Sequence, residues 1–183
     1  MGKISKNSKF LHPYDVWKPS LDNRVFIAPG AKIIGKVILK KDVNIWFNCI
    51  LRGDVGSIKV DEGSNIQDGT IIHVSRSKNG DTNIGKYVTI GHKAIIHACF
   101  LEDESFIGMG AIIMDGVVIE KKSMVAAGSV VPPNKVVKEG ELWAGVPSKF
   151  IRKLRANEIK NNLETAKHYV KLSQEYKNIN MNI

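Results

Sequence analysis

The chain is short of cysteine and of aromatic residues, and it has no long apolar run. Its two cysteines, Cys49 and Cys99, lie fifty positions apart. That spacing offers no paired metal ligands of the zinc-finger kind, and two lone thiols read as buried side chains of a reducing compartment rather than as a disulfide. No apolar stretch approaches the length of a membrane-spanning helix. Neither a signal peptide nor a transit-like leader is visible, so a soluble, cytoplasmic protein is expected. A basic patch interleaved with aromatics is also missing, although the net charge is +9. Residues 1–24 carry five Lys or Arg against two acids, and residues 148–178 carry eight against three, which leaves +1 for everything between. The excess belongs to the terminal segments, where solvated tail and helix faces account for it, and no nucleic acid is expected as a partner.

What the chain does have is a period of six. Every sixth residue from Ile27 reads Ile27, Ile33, Leu39, Ile45, Leu51; after a slip come Val60, Ile66, Ile72, then Ile84, Ile90, Ile96. A third run is Leu101, Ile107, Ile113, Ile119, Val125, Val131. All are branched aliphatics, and a period of six matches neither a helix, at about 3.6, nor a strand, at about 2. It is the pattern of a parallel β-helix of hexapeptide repeats, in which three short flat sides make a coil and coils stack into a prism. Low aromatic content suits so narrow a core. Glycines at Gly63, Gly69, Gly85, Gly91, Gly108 and Gly128 are expected to allow tight corners, where φ is often positive and a Cβ would clash. A β-sandwich is the alternative, but its strand spacing drifts between roughly 8 and 12 residues.

Three segments follow. Residues 1–24, with Pro13 and Pro19, read as an irregular leader covering one end of the prism. Residues 25–147 are the repeat. In residues 148–183 the spacing of Ile159, Leu163, Ala166 and Val170 predicts an amphipathic helix over about 156–177, and the end from Asn180 to Ile183 is expected to fray. The helix carries His168 and Tyr169, either of which would serve as a side chain lent to a neighbouring site.

The histidines carry the functional reading. His73 follows the core position Ile72 and His97 follows Ile96, so they share a place in the hexapeptide. They are 24 residues apart, and the polar stretch Ser75–Asp81 reads as a bulge of about one hexapeptide. Subtracting it leaves one coil of about eighteen residues, which stacks the two rings on one face. His92 projects from the previous corner, too far round to join them within one chain. A three-histidine site therefore needs a neighbouring subunit, and a cyclic trimer with metal sites at its interfaces is predicted. Three imidazoles leave one open position on Zn²⁺, and water there can be acidified to a pKa of about 7. The plain alternative is that such histidines are surface residues, or that one of them acts alone as a general base, as in acyltransferases of this fold.

Around these positions Leu51-Arg52-Gly53-Asp54, Asn65-Ile66-Gln67-Asp68-Gly69-Thr70, His73-Val74, Gly91-His92 with His97, and Ile107-Gly108-Met109-Gly110-Ala111 together resemble the gamma-class carbonic anhydrases and their bacterial hexapeptide-repeat relatives. The likeness covers most of residues 20–155. It implies a left-handed β-helix, a homotrimer with interfacial zinc, and attack of zinc-bound hydroxide on carbon dioxide to give bicarbonate. By that resemblance His73, His92 and His97 match the metal ligands, Arg52 and Asp54 match an interface ion pair that helps place bicarbonate, and Asn65, Gln67 and Asp68 match the polar shell around the metal-bound water. The chemistry of the side chains agrees: Asn65 can fix the Gln67 amide, Gln67 can orient a bound hydroxide, and Arg52 offers a fork for a carboxylate or bicarbonate. Fe²⁺ or Co²⁺ would also be accepted by three imidazoles. For Arg52, Asp54 and Asp68, a salt-bridge network holding the trimer together is an equally weighted role.

The chain departs from the best-characterised members at Val55 and Arg76, where those carry acids implicated in handling the released proton, so slow turnover without a substitute shuttle or buffer is expected. Two other readings share the scaffold: an acyltransferase or acyl-CoA thioesterase, which needs a groove for coenzyme A, and a non-catalytic trimeric accessory protein.

Overall fold

A computed structural model describes residues 9–179; the leader's first eight residues and the expected frayed end, 180–183, lie outside the described residues. The chain winds through about seven turns of a three-sided parallel solenoid. The first face holds Leu11–His12, Ile71–His73, Ile95–His97, Ile112–Ile113 and Val130–Val131, and the second holds Ser20–Leu21, Thr82–Ile84, Phe100–Leu101, Val118–Ile119 and Val136–Val137. Both belong to one 12-stranded sheet, because Lys32–Leu39 and Ile50–Val60 run unbroken round the corner between them. The third face is an 8-stranded sheet from Phe26–Ile27 to Ser148–Lys153.

The six-residue phase lines the interior as expected. Ile33, Leu39, Ile45, Leu51, Ile66, Ile72, Ile90 and Ile96 are fully buried, as are Ile107, Ile113, Ile119, Val125 and Val131. Ile27 is only partly buried, since it sits on the first turn of its face. Each such side chain removed from water contributes about 1.5–3 kcal/mol, which is why the register is held so strictly. The slip after Leu51 is a local widening: Gly35 pairs with Gly53, then Val37 with Ile58, so residues 54–57 stand opposite Lys36 alone and the coil carries three extra residues.

The six glycines divide into two kinds, since only three of them have positive φ. Gly63, Gly69 and Gly128 have positive φ, but several corners are turned by other residues, among them Asn48, Lys93 and Asn134. Gly85, Gly91 and Gly108 do not have positive φ, and they are required by close approach of the next coil. A Cβ on Gly91 would stand 2.7 Å from the backbone nitrogen of Met109.

The ends are more ordered than the sequence pattern suggests. Leu11 and Leu21, in the leader, pack against the core, and their strands pair with Lys32–Leu39. At the other end the last parallel third-face strand, Glu141–Gly145, turns back through a cis Val146-Pro147 bond into Ser148–Lys153 as an antiparallel hairpin, with Trp143 against the core. The helix spans Ala156–Asn178 and lies on the third face. Ala166 and Ser173 are its buried residues, and Tyr169, Leu172 and Tyr176 pack on Phe26, Ala28 and Trp46. Tyr169 and Tyr176 meet the Trp46 ring edge-on at 5.4 and 5.2 Å. No helix among the described residues is long and apolar enough to cross a membrane.

Candidate functional site

His73 and His97 are register partners on adjacent first-face strands, with Arg52 next in the same column. The stretch between them does bulge from the wall. Ser75 N donates to the Gly80 carbonyl at 2.8 Å, and Asp81 Oδ1 accepts from Ser57 N at 2.6 Å. The two imidazoles face one another, His73 Nδ1 to His97 Nε2, at 3.2 Å.

Their remaining nitrogens are tied back. His73 Nε2 lies 2.9 Å from Asp54 Oδ1, and His97 Nδ1 lies 2.6 Å from Asp115 Oδ1. An ionised carboxylate only accepts, so each ring carries its proton on the carboxylate side and presents a lone pair to the other ring. Two lone pairs at 3.2 Å repel, and the gap calls for a positive charge, a proton or a metal ion. Nitrogens bound to one tetrahedral zinc at about 2.0–2.1 Å stand about 3.3–3.4 Å apart, so the pair fits as two ligands of one ion. Imidazoles backed by carboxylates are the usual form of a metal-binding histidine. Burial pushes the Asp54 carboxyl up, but hydrogen bonds from His73 and Arg52 together outweigh it and hold the group below the ordinary carboxylate value.

His92 occupies the corner after Thr89–Ile90. Its Nδ1 is 2.7 Å from Asp68 Oδ2, which again leaves Nε2 as the lone-pair nitrogen. It stands at the opposite edge of the first face from His73 and His97. Among the described residues no three His, Cys, Asp or Glu side chains gather to hold a metal ion within one chain. The three histidines thus stand in two groups on the single chain, the His73–His97 pair and His92. Between them the outward column of the first face is Ile50, Ile71 and Ile95, which are 37, 43 and 40% exposed.

Asn65 and Gln67 form a buried ladder beside the His92 edge. Gln67 Nε2 donates to Asn65 Oδ1 at 3.1 Å, while Asn65 Nδ2 donates to Thr89 Oγ1 at 2.9 Å and faces the Val88 carbonyl. Because that carbonyl can only accept, the Asn65 amide is fixed, and with it the Gln67 amide, whose Oε1 stays available to accept a hydrogen bond. Sequence reasoning leaves Gln67 as donor or acceptor; the ladder selects acceptor. Asp68, expected in a polar shell around bound water, pairs with the His92 ring.

Asp115 escapes the sequence reading altogether. It lies on a corner of the next coil, eighteen residues after its partner, and nothing in its local sequence distinguishes it from other corner acids. Of the two helix residues, Tyr169 packs on Trp46, where burial raises its phenol pKa and the negative charge of Asp68 adds to the rise. His168 is exposed. Val55 packs against the core and Arg76 is exposed on the bulge. Both cysteines are free and buried, and burial pushes the Cys49 thiol up to about 12.

No protein-family profile matches the chain. Individual relatives do. Gamma carbonic anhydrase 2, mitochondrial, from Arabidopsis thaliana is 46% identical over 93% of this chain, which spans 63% of that relative's length. A carbonic anhydrase from Geobacillus kaustophilus is 35% identical over 91% of both chains. Among solved structures, a hexapeptide transferase family protein from Anaplasma phagocytophilum superposes with a TM-score of 0.88 at 50% identity, covering 91% of this chain and 98% of the other. The solenoid is the left-handed β-helix of hexapeptide repeats. With identity of this order over a span that takes in both histidine edges and the polar ladder, the chain belongs to the gamma carbonic anhydrase family.

Proposed function

We propose that the protein is a metal-dependent carbonic anhydrase that hydrates carbon dioxide reversibly, working as a homotrimer in which His73 and His97 of one subunit and His92 of the next share one ion. The observation that carries this is the confrontation of two carboxylate-backed imidazole nitrogens at 3.2 Å, with a third histidine prepared in the same way at the far edge of the face. The exposed aliphatic column between the two edges supports burial of that face against a second copy. Zinc is the first expectation, and Fe²⁺ or Co²⁺ suits the same donors. Such an ion supplies acidified water as a nucleophile near neutral pH.

The protein's own side chains do the rest. Gln67 Oε1 accepts a hydrogen bond from the nucleophile and turns its lone pair toward the carbon. Arg52, ion-paired with Asp54, offers a guanidinium fork for the bicarbonate product. Asp54, Asp68 and Asp115 each fix the tautomer of one ring, with the proton on Nε2 of His73 and on Nδ1 of His92 and His97. Neither Val55 nor Arg76 can take up a proton, so proton removal falls to buffer. The free, buried thiols fit a reducing, cytoplasmic setting.

A second reading has one observation in its favour. The second face carries a groove of about 770 Å³ lined by Asn83, Phe100, Asp115 and Asn134 and by the bulge at Ser77–Asn79, the kind of space a thioester substrate requires. Stopped-flow hydration on metal-quantified protein separates the two, with His97→Ala alongside and buffer concentration varied. The anhydrase reading expects a metal-dependent rate that rises with buffer and vanishes in the variant. A fully metallated trimer with no rate above background overturns it and favours thioester hydrolysis.

A further inference from the structure

The two histidine edges repeat one coil further on with different chemistry. Met109 follows His92 by 17 residues, and Met114 follows His97 by the same 17. The sheet register sets each methionine on its histidine. Ile95 pairs with Ile112 and Ile96 with Ile113, so the next pair along is His97 with Met114. Gly110 N donates to the His92 carbonyl at 2.8 Å, which puts Met109 beside His92 on the following coil. Both side chains are left in water by the single chain, Met109 at 58% and Met114 at 37% exposure. On the preceding coil the first-face column holds Arg52 instead.

We propose that Met109 of one subunit and Met114 of the next form an apolar wall on one side of the interfacial site, opposite Arg52, and that this wall selects a small uncharged substrate over an anion. The inference rests on the interfacial reading above: an interface that brings His92 to His73 and His97 brings Met109 to Met114 by translation along the prism of one coil, about 4.8 Å. A thioether has a flexible, unbranched stem and no strong donor. It therefore gives an uncharged substrate dispersion contact while offering a bicarbonate oxygen nothing to bind. The anion is drawn to the Arg52 side and the uncharged molecule to the methionine side. Asp115, directly after Met114, reaches back to His97, and so fixes the corner from which Met114 projects.

The placement is tested without reference to activity by a Met109→Cys/Met114→Cys double variant treated with a short bifunctional maleimide. Cys49 and Cys99 are buried and stay out of the reaction. The wall predicts covalent trimers on a denaturing gel from the double variant and none from either single variant, since each position meets only the other type. A double variant that is trimeric by light scattering but stays unlinked overturns the placement. A monomeric protein fails the interfacial reading itself, and the wall with it. The role is tested by Met109→Gln and Met114→Gln, which are expected to raise KM for carbon dioxide roughly tenfold while kcat changes less and metal content stays constant, with leucine at the same positions closer to the parent. Unchanged KM in both glutamine variants overturns it.

Discussion

Replacing Asp115 by asparagine removes one charge and one well-placed acceptor from behind His97, and its effect is calculable from the geometry. In the parent, Asp115 Oδ1 lies 2.6 Å from His97 Nδ1, so the proton stays on that nitrogen and the lone pair stays on Nε2, aimed at His73. The asparagine side chain keeps an acceptor oxygen of the same size but loses the charge that makes His97 a better donor to a metal. Losses of this kind typically weaken metal affinity by about 10–100-fold, or about 1.4–2.7 kcal/mol. The fold itself should scarcely respond, because the Asp115 side chain is 47% exposed and an exposed pair contributes at most about 1 kcal/mol. The assay is competition for Zn²⁺ against a chromophoric chelator at fixed pH, with thermal melting of the metal-free protein as control. Asp54→Asn should cost more, since the Asp54 side chain is only 13% exposed and also anchors Arg52. Affinity within about twofold of the parent for both Asp115→Asn and Asp115→Ala, against the tenfold or greater loss expected, would refute the assignment of Asp115 as the group that holds His97.

Three further outcomes are expected. Ile96→Ala opens a cavity in a fully buried column and should lower unfolding free energy by about 2–5 kcal/mol in a denaturant titration; a loss below about 1 kcal/mol would mean that the prism collapses round the gap. Gly91→Ala places a methyl group 2.7 Å from the Met109 backbone nitrogen, so it should cost about 1–3 kcal/mol and reduce bound metal by displacing the adjacent His92; unchanged melting temperature and metal content would contradict the close-approach role. Glu158, held at about 2 by the Arg152 guanidinium and by Arg155 N, has a folded pKa below its unfolded value, so its contribution is present above about 4.5 and is lost as pH falls toward 2. Glu158→Gln should flatten the loss of stability followed by helix ellipticity across that window, and an unchanged acid profile would remove Glu158 from the account.

Much of the solenoid is legible in the sequence because its core is one-dimensional. A branched aliphatic every six residues has a single consistent burial pattern, and once the bulge at 75–81 is subtracted the His73–His97 pairing follows from counting alone. The hairpin is not legible, because Glu141–Gly145 continues the parallel sheet while Ser148–Lys153 reverses against it, and a short edge strand with one face exposed has no period to reveal it. The leader's strands escape for the same reason, being two residues each and flanked by prolines. At the site, the histidines are visible as rare residues in phase, and Asn65, Gln67, Asp54 and Asp68 through their resemblance to the family. Asp115 is not, since its role depends on a contact between coils rather than on any spacing within one.

The central claim is that one metal site is shared between two chains, and mixing inactive subunits tests it most directly. His92→Ala and His97→Ala proteins are each expected to bind no metal at the site. Unfolded together in equal amounts and reassembled, they should recover about a quarter of the parent's metal per chain, since a site needs intact His73 and His97 from the first kind of subunit and intact His92 from the second. A mixture that recovers none, from trimers shown to be mixed by mass, would place all the ligands within single chains and contradict the account.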